Sequence, residues 1–125
     1  MIQAKSKPPN FCTELKTPTH TILSDVGADN GGADSGMGPH ELLEAALASC
    51  MQITLQMGAA KYGFNPGTSS CQVELDRSVQ GKTTFVYKLH LDPSLTPEQV
   101  DHMRRFAAKC PVRKTLSTEI GFREV

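Results

Sequence analysis

Between Ala45 and Ala60 the chain runs for 16 residues without a charged side chain, and no other stretch constrains the fold as much. Pro39 stands just before it, where a helix can open, and Gly63 followed by Asn65-Pro66-Gly67 closes it. His40 to Tyr62 therefore reads as one long helix, apolar on most of its sides, with Leu43, Leu47, Met51, Ile53, Leu55 and Met57 spread around it. Ser49, Gln52, Thr54 and Gln56 interrupt the run, which also falls short of the about 20 apolar residues that a bilayer span needs. The expectation is a central core helix and no membrane partner.

The flanking segments read as strands and shorter helices. Phe11 to Val26 is rich in Thr, Leu and Ile and is broken at Thr17-Pro18-Thr19, which predicts a hairpin. Gly27 to Pro39 holds five of the ten glycines and reads as a flexible loop without the GxxxxGK(S/T) spacing of a phosphate loop. Cys71, Val73 and Leu75 alternate with polar residues, as do Phe85, Tyr87, Leu89 and Leu91, so a second hairpin is expected. Thr96-Pro97-Glu98-Gln99 has the spacing of a capping box and opens a helix carrying Val100, Met103, Phe106 and Ala107 on one face. That helix ends at Cys110-Pro111. A short helix over Pro111 to Leu116 follows, then a tail whose Ile120 and Phe122 suggest an edge strand. This order predicts an α+β fold with mainly antiparallel pairing. With 125 residues, a single domain over 1–125 is expected to hold one core without disulfide or metal staples.

Lys plus Arg and Asp plus Glu both number 13, so the formal charge is zero, which speaks against nucleic acid as a partner. Met1 to Pro9 has no apolar leader, so a cytoplasmic address is the default. The four cysteines, Cys12, Cys50, Cys71 and Cys110, form no CxxC pair, and zinc-ribbon or thioredoxin-type chemistry loses its usual signature. Cys12 and Cys71 fall in strands and read as structural. Cys110 directly precedes Pro111, at a helix start, with Lys109, Arg113 and Lys114 nearby, and these conditions lower a thiol pKa. Cys50 lies mid-helix with Leu43, Ala46, Leu47, Ile53, Thr54 and Met57 within about 60° of it, so periodicity alone makes it a core thiol. Glu41 lies on the opposite side of that helix, roughly 13 Å away along its axis. His90 and His102 read as solvated, His20 sits beside the first turn, and His40 reads as a surface residue.

The segment Gly38-Pro-His-Glu-Leu-Leu-Glu-Ala-Ala-Leu-Ala-Ser-Cys50, taken together with Lys109-Cys-Pro-Val-Arg-Lys-Thr-Leu-Ser117, resembles the family of osmotically inducible protein C and organic hydroperoxide resistance proteins, in its OsmC-like branch. The likeness runs over nearly the whole chain. It implies an OsmC-like fold in which two chains intertwine as a homodimer, with the long helices central and the active sites at the interface. It also implies a cysteine-based peroxidase of oxidative-stress defence. Cys50 attacks the distal oxygen of an organic hydroperoxide and becomes a sulfenic acid, and Cys110 resolves it as a disulfide. A thiol or dithiol reductant restores both, and no metal, flavin or haem is needed. In the best-studied branch an N-terminal arginine and a glutamate near the helix start polarise the peroxide. Here no Arg precedes Arg77; Glu41, nine residues before Cys50, fits the broader pattern, and Arg113 is the candidate for the missing charge. The residues alone thus favour Cys110 as the better-activated thiol, whereas the resemblance favours Cys50. A non-catalytic protein that senses redox state, or binds a small apolar ligand beside the long helix, is the other reading left open.

Overall fold

The computed structural model describes residues 1–125, which form two compact units, Met1–Leu43 and Glu44–Val125. In the first unit, strands β1 (Gln3–Ser6), β2 (Thr13–Lys16) and β3 (Thr21–Ser24) make an antiparallel meander in sequence order. The expected hairpin is β2–β3. Its turn is held by Thr17 Oγ1, which accepts the backbone N–H of Thr19 at 3.3 Å and of His20 at 2.9 Å. Strand β1 has no counterpart in the sequence reading, because all four of its residues are exposed and carry no burial alternation. Cys12 is buried just before β2 rather than within a strand. The glycine-rich loop is organised around a buried carboxylate. Asp25 accepts the amides of Val26, Ala33 and Ser35 at 2.8, 3.1 and 3.1 Å.

Helix α1 (Pro39–Lys61) begins at the end of the first unit and continues through the second, within a residue of the expected bounds at each end. The second unit adds strands β4 (Ser70–Asp76) and β5 (Thr84–His90) and helices α2 (Pro97–Ala108) and α3 (Pro111–Leu116). Leu47, Met51, Leu55 and Ala59 form the buried stripe of α1, spaced four residues apart, and pack with Met103, Ala107 and Cys110. Each large side chain there contributes about 1.5–3 kcal/mol of burial. The expectation of a helix buried on most sides is corrected, since Ile53 is 54% and Met57 68% exposed. The hairpin, α2 and α3 supply apolar partners for one face only.

Strands β4 and β5 pair antiparallel with Cys71, Val73 and Leu75 opposite Leu89, Tyr87 and Phe85, while Ser70, Gln72, Glu74 and Asp76 stay exposed. The Glu44 carboxylate accepts the Leu75 N–H at 2.7 Å and ties α1 to β4. The capping box forms as read: Thr96 Oγ1 accepts the Gln99 N–H at 3.2 Å, and Gln99 Oε1 accepts the Thr96 N–H at 2.9 Å. Two expectations fail here. His102 is half-buried, its ring centroid 4.5 Å from that of Tyr62 and 6.0 Å from that of Phe106, because α2 lays it against aromatic neighbours. The C-terminal tail forms no strand; Ile120 is 55% and Phe122 97% exposed, and alternation without a pairing strand leaves the backbone to water. No helix is long and apolar enough to cross a membrane.

Gly58 is the place where α1 lets Phe106 of α2 approach, since a Cβ there would fall within the Phe106 ring. Gly58→Ala gains up to about 1 kcal/mol of helix propensity but meets an overpacking cost of about 1–3 kcal/mol. A net loss is expected. Differential scanning calorimetry should show a lower Tm than the parent chain, and an unchanged or higher Tm would mean that Phe106 moves aside freely.

Candidate functional site

Cys50 lies in α1 at the border between its buried stripe and its exposed side, half-buried. Cys110 is fully buried at the N-cap of α3. Both are free cysteines, and each shifts the titration of the other. Pro111, the first residue of α3, has no N–H and cannot continue α2. The first free amides of α3 therefore belong to Val112 and Arg113. The Val112 amide favours the charged form of both thiols, and the Arg113 amide favours that of Cys110. Cys110 makes no conventional side-chain cap bond to these amides, so at this sulfur they act as dipoles aimed at it from longer range.

The two thiols are shifted in opposite directions. Desolvation pushes Cys50 up, but the Cys110 thiol, the Val112 amide and the Thr54 hydroxyl together outweigh it, and the thiol ends below its ordinary value. Burial also raises Cys110, and there the Cys50 sulfur adds to it, both by receiving the Cys110 proton and by its charge. The Arg113 and Val112 amides oppose this only in part, so Cys110 stays above the ordinary value. This reverses the expectation that the helix start makes Cys110 the more acidic thiol. The amides of α3 face both sulfurs, and only Cys50 escapes deep burial.

Arg113 does not bring its charge to either sulfur. Its guanidinium donates to the Ala108 carbonyl at 2.9 Å and lies 5.9 Å from the Tyr87 ring centroid, so it clamps the end of α2 and the face of β5. Lys109 and Lys114 are exposed. No cation of the cluster is among the influences that shift either thiol, which are burial, backbone amides, a hydroxyl and the other cysteine. Arg113 also lines a cleft of about 220 Å³ with Leu47, Thr84, Phe85, Tyr87 and Leu116. Glu41 belongs to the first unit, in the opening turn of α1, where its carboxylate accepts the Gly38 N–H at 2.7 Å. It borders a cleft of about 340 Å³ with Asp25, Asp34 and His40. The largest cleft, about 580 Å³, lies among Met1, Ile2, Lys5 and Lys16 and contains no cysteine.

Two contributors escaped the sequence reading. Val112 acts through its backbone, which side-chain identity does not signal. Thr54 was visible at four residues after Cys50, a spacing that places the two on one helix face, but it was counted only as a neighbour. Cys71 behaves as a structural residue: burial raises its thiol, which donates to the Ala48 carbonyl at 3.3 Å. No group of three or more His, Cys, Asp or Glu residues is placed to hold a metal ion.

These elements define an α+β protein with two cysteines, sixty positions apart, whose thiols are shifted in opposite directions. The family model described as OsmC-like protein matches residues 31–124, and the chain belongs to that family. Its fold recurs in a candidate osmotic stress induced and detoxification response protein from Psychrobacter arcticus, 19% identical, with a TM-score of 0.76 over 91% of this chain and 85% of that one. It recurs in an OsmC-like protein of unknown function from Vibrio cholerae, 17% identical, with a TM-score of 0.69 over 95% and 94%. An organic hydroperoxide resistance protein from Elizabethkingia anophelis, 18% identical, follows with a TM-score of 0.64 over 94% and 88%. Among curated proteins none matches the chain.

The opposed shifts have a direct readout. Alkylation by iodoacetamide near neutral pH should mark Cys50 before Cys110, with a rate-against-pH midpoint below the about 8.5 of a free cysteine. Cys110→Ala removes the largest influence holding Cys50 down, so its midpoint should rise toward that of a free thiol. A midpoint unchanged by that substitution would mean that Cys110 does not donate to Cys50.

Proposed function

We propose that the chain is a thiol-dependent peroxidase that reduces organic hydroperoxides, with Cys50 as the attacking thiol and Cys110 as the resolving one. The observation that carries this reading is the polarised pair, one thiol lowered and the other raised by the same contact. Thiolate character decides which sulfur attacks. The Cys50 thiolate attacks the distal oxygen of R–O–O–H, the O–O bond breaks, and Cys50 becomes a sulfenic acid while RO⁻ leaves. Cys110 gives its proton to RO⁻, releasing the alcohol and becoming a thiolate itself. That thiolate attacks the Cys50 sulfur, the S–S bond forms, and hydroxide leaves to take a proton from solvent. An external thiol or dithiol supplies two electrons and two protons to regenerate the pair.

The remaining roles belong to the same proposal. Arg113 positions the start of α3, and with it the Val112 amide, by holding the Ala108 carbonyl. Glu41 serves at the site from a second copy of the chain in a homodimer. The bare apolar side of α1 at Ile53 and Met57, adjacent in sequence to Cys50, supports such an assembly. The chain acts as a single OsmC-like domain over 1–125, cytoplasmic, in defence against oxidative stress, with no nucleic acid or membrane partner.

The test is consumption of cumene hydroperoxide with dithiothreitol or dihydrolipoamide as reductant. Turnover is expected in the parent chain and should be abolished in Cys50→Ser. Without reductant, intact-mass spectrometry should show the parent losing two hydrogens per chain, roughly 2 Da, whereas Cys110→Ser should gain oxygen at Cys50 instead. Turnover that persists in Cys50→Ser would sink the assignment, and over-oxidation of the parent without a disulfide would remove Cys110 from the resolving role.

A further inference from the structure

Thr54 follows Cys50 by one helical turn, about 40° around the axis and about 6 Å along it, so the two side chains share a face. Its hydroxyl donates to the Cys50 carbonyl at 2.7 Å. That carbonyl already receives the helical N–H of Thr54 itself, the regular partner four residues on. The hydroxyl bond is therefore surplus to the helix, and moving it leaves no backbone group unpaired. The Cys50 sulfur stands on the same helix face one turn earlier and is the other acceptor that residue presents to Thr54. One hydroxyl proton thus has two acceptors on one residue to choose between.

The choice depends on the charge of the sulfur. A neutral thiol is a weak acceptor, so the carbonyl holds the proton; a thiolate accepts a charge-assisted bond roughly twice as strong as a neutral one. We propose that Thr54 is a positioning residue for Cys50, its hydroxyl resting on the Cys50 carbonyl while the thiol is protonated and turning to the sulfur when the thiolate forms. The other two donors differ in kind. The Val112 amide is fixed by the backbone of α3, and the Cys110 proton leaves during turnover, so Thr54 is the donor that stays with Cys50 through the cycle. The titratable group facing Cys50 is Cys110, and the nearest cation in the sequence of α3, Arg113, is bound to Ala108 and Tyr87. This inference rests on Cys50 being the attacking thiol of the proposed pair.

The test uses the full chain and needs no peroxide. Alkylation of Cys50 by iodoacetamide is followed by peptide mass mapping from about pH 5 to 10, a range that brackets the titration of a thiol. Thr54→Val keeps the branched shape and removes the donor. It should move the midpoint to higher pH and slow alkylation about three- to tenfold below the parent's midpoint. Thr54→Ser restores the hydroxyl and should return the rate to within about twofold of the parent. If Thr54→Val does not fold, as judged by its thermal transition, Thr54→Ala takes its place with the same expected shift. A profile for Val or Ala that overlays the parent's overturns the inference, and so does a Ser variant as slow as Val. Cys50-independent peroxide turnover together with a shifted Thr54→Val profile would strike the peroxidase reading and leave this hydrogen bond standing.

Discussion

The junction between α2 and α3, pressed into the buried stripe of α1, is the constraint from which the chemistry follows. Met103, Ala107 and Cys110 lie against Leu47, Met51, Leu55 and Ala59, and this contact is the core of the second unit. Helix α2 closes at Ala108 and Pro111 opens α3 three residues on, so the turn that buries Cys110 also frees the amides of Val112 and Arg113. Burial and amide exposure are therefore produced together. Neither thiol could be tuned as it is without the packing that brings α3 to α1, and the Arg113 bond to Ala108 reinforces the same corner.

Much of this was legible in the sequence where the signal is local. The capping box at Thr96 and Gln99, the Thr17-Pro18-Thr19 turn, the bounds of α1 and the proline break after Cys110 all depend on residues within a few positions of one another. The α+β order and the family were legible for the same reason, from motifs that stand intact. Features that depend on what packs from afar were not. The four exposed residues of β1 carry no alternation, and the tail around Ile120 and Phe122 carries alternation with no partner. His102 reads as polar until Tyr62 and Phe106 close on it. The acidity of Cys50 was invisible because its largest helpful donor comes from Cys110, sixty residues on, and the next from a backbone amide.

The uncharged run that first set the fold also takes on a second meaning. A helix that buries one stripe needs apolar residues only every third or fourth position, yet α1 keeps Ile53 and Met57 on a side its own unit leaves bare. The surplus is what a further covering surface would require, and it flanks Cys50. A sulfur at the border of buried and bare surface is partly desolvated and still open to solvent. Cys110, one layer deeper, meets only the first condition.

Neutral groups, not a cation, account for the shifts of this pair. A positive charge placed beside two sulfurs favours the charged form of each, most strongly that of the nearer one. A donated hydrogen bond is directional. A hydrogen bond from the Cys110 thiol to Cys50 lowers the acceptor's pKa and raises the donor's, which is the opposed pair of shifts the two cysteines show. Arg113, bound to Ala108 and Tyr87, leaves burial, amides, a hydroxyl and the partner cysteine as the influences that shift the two thiols.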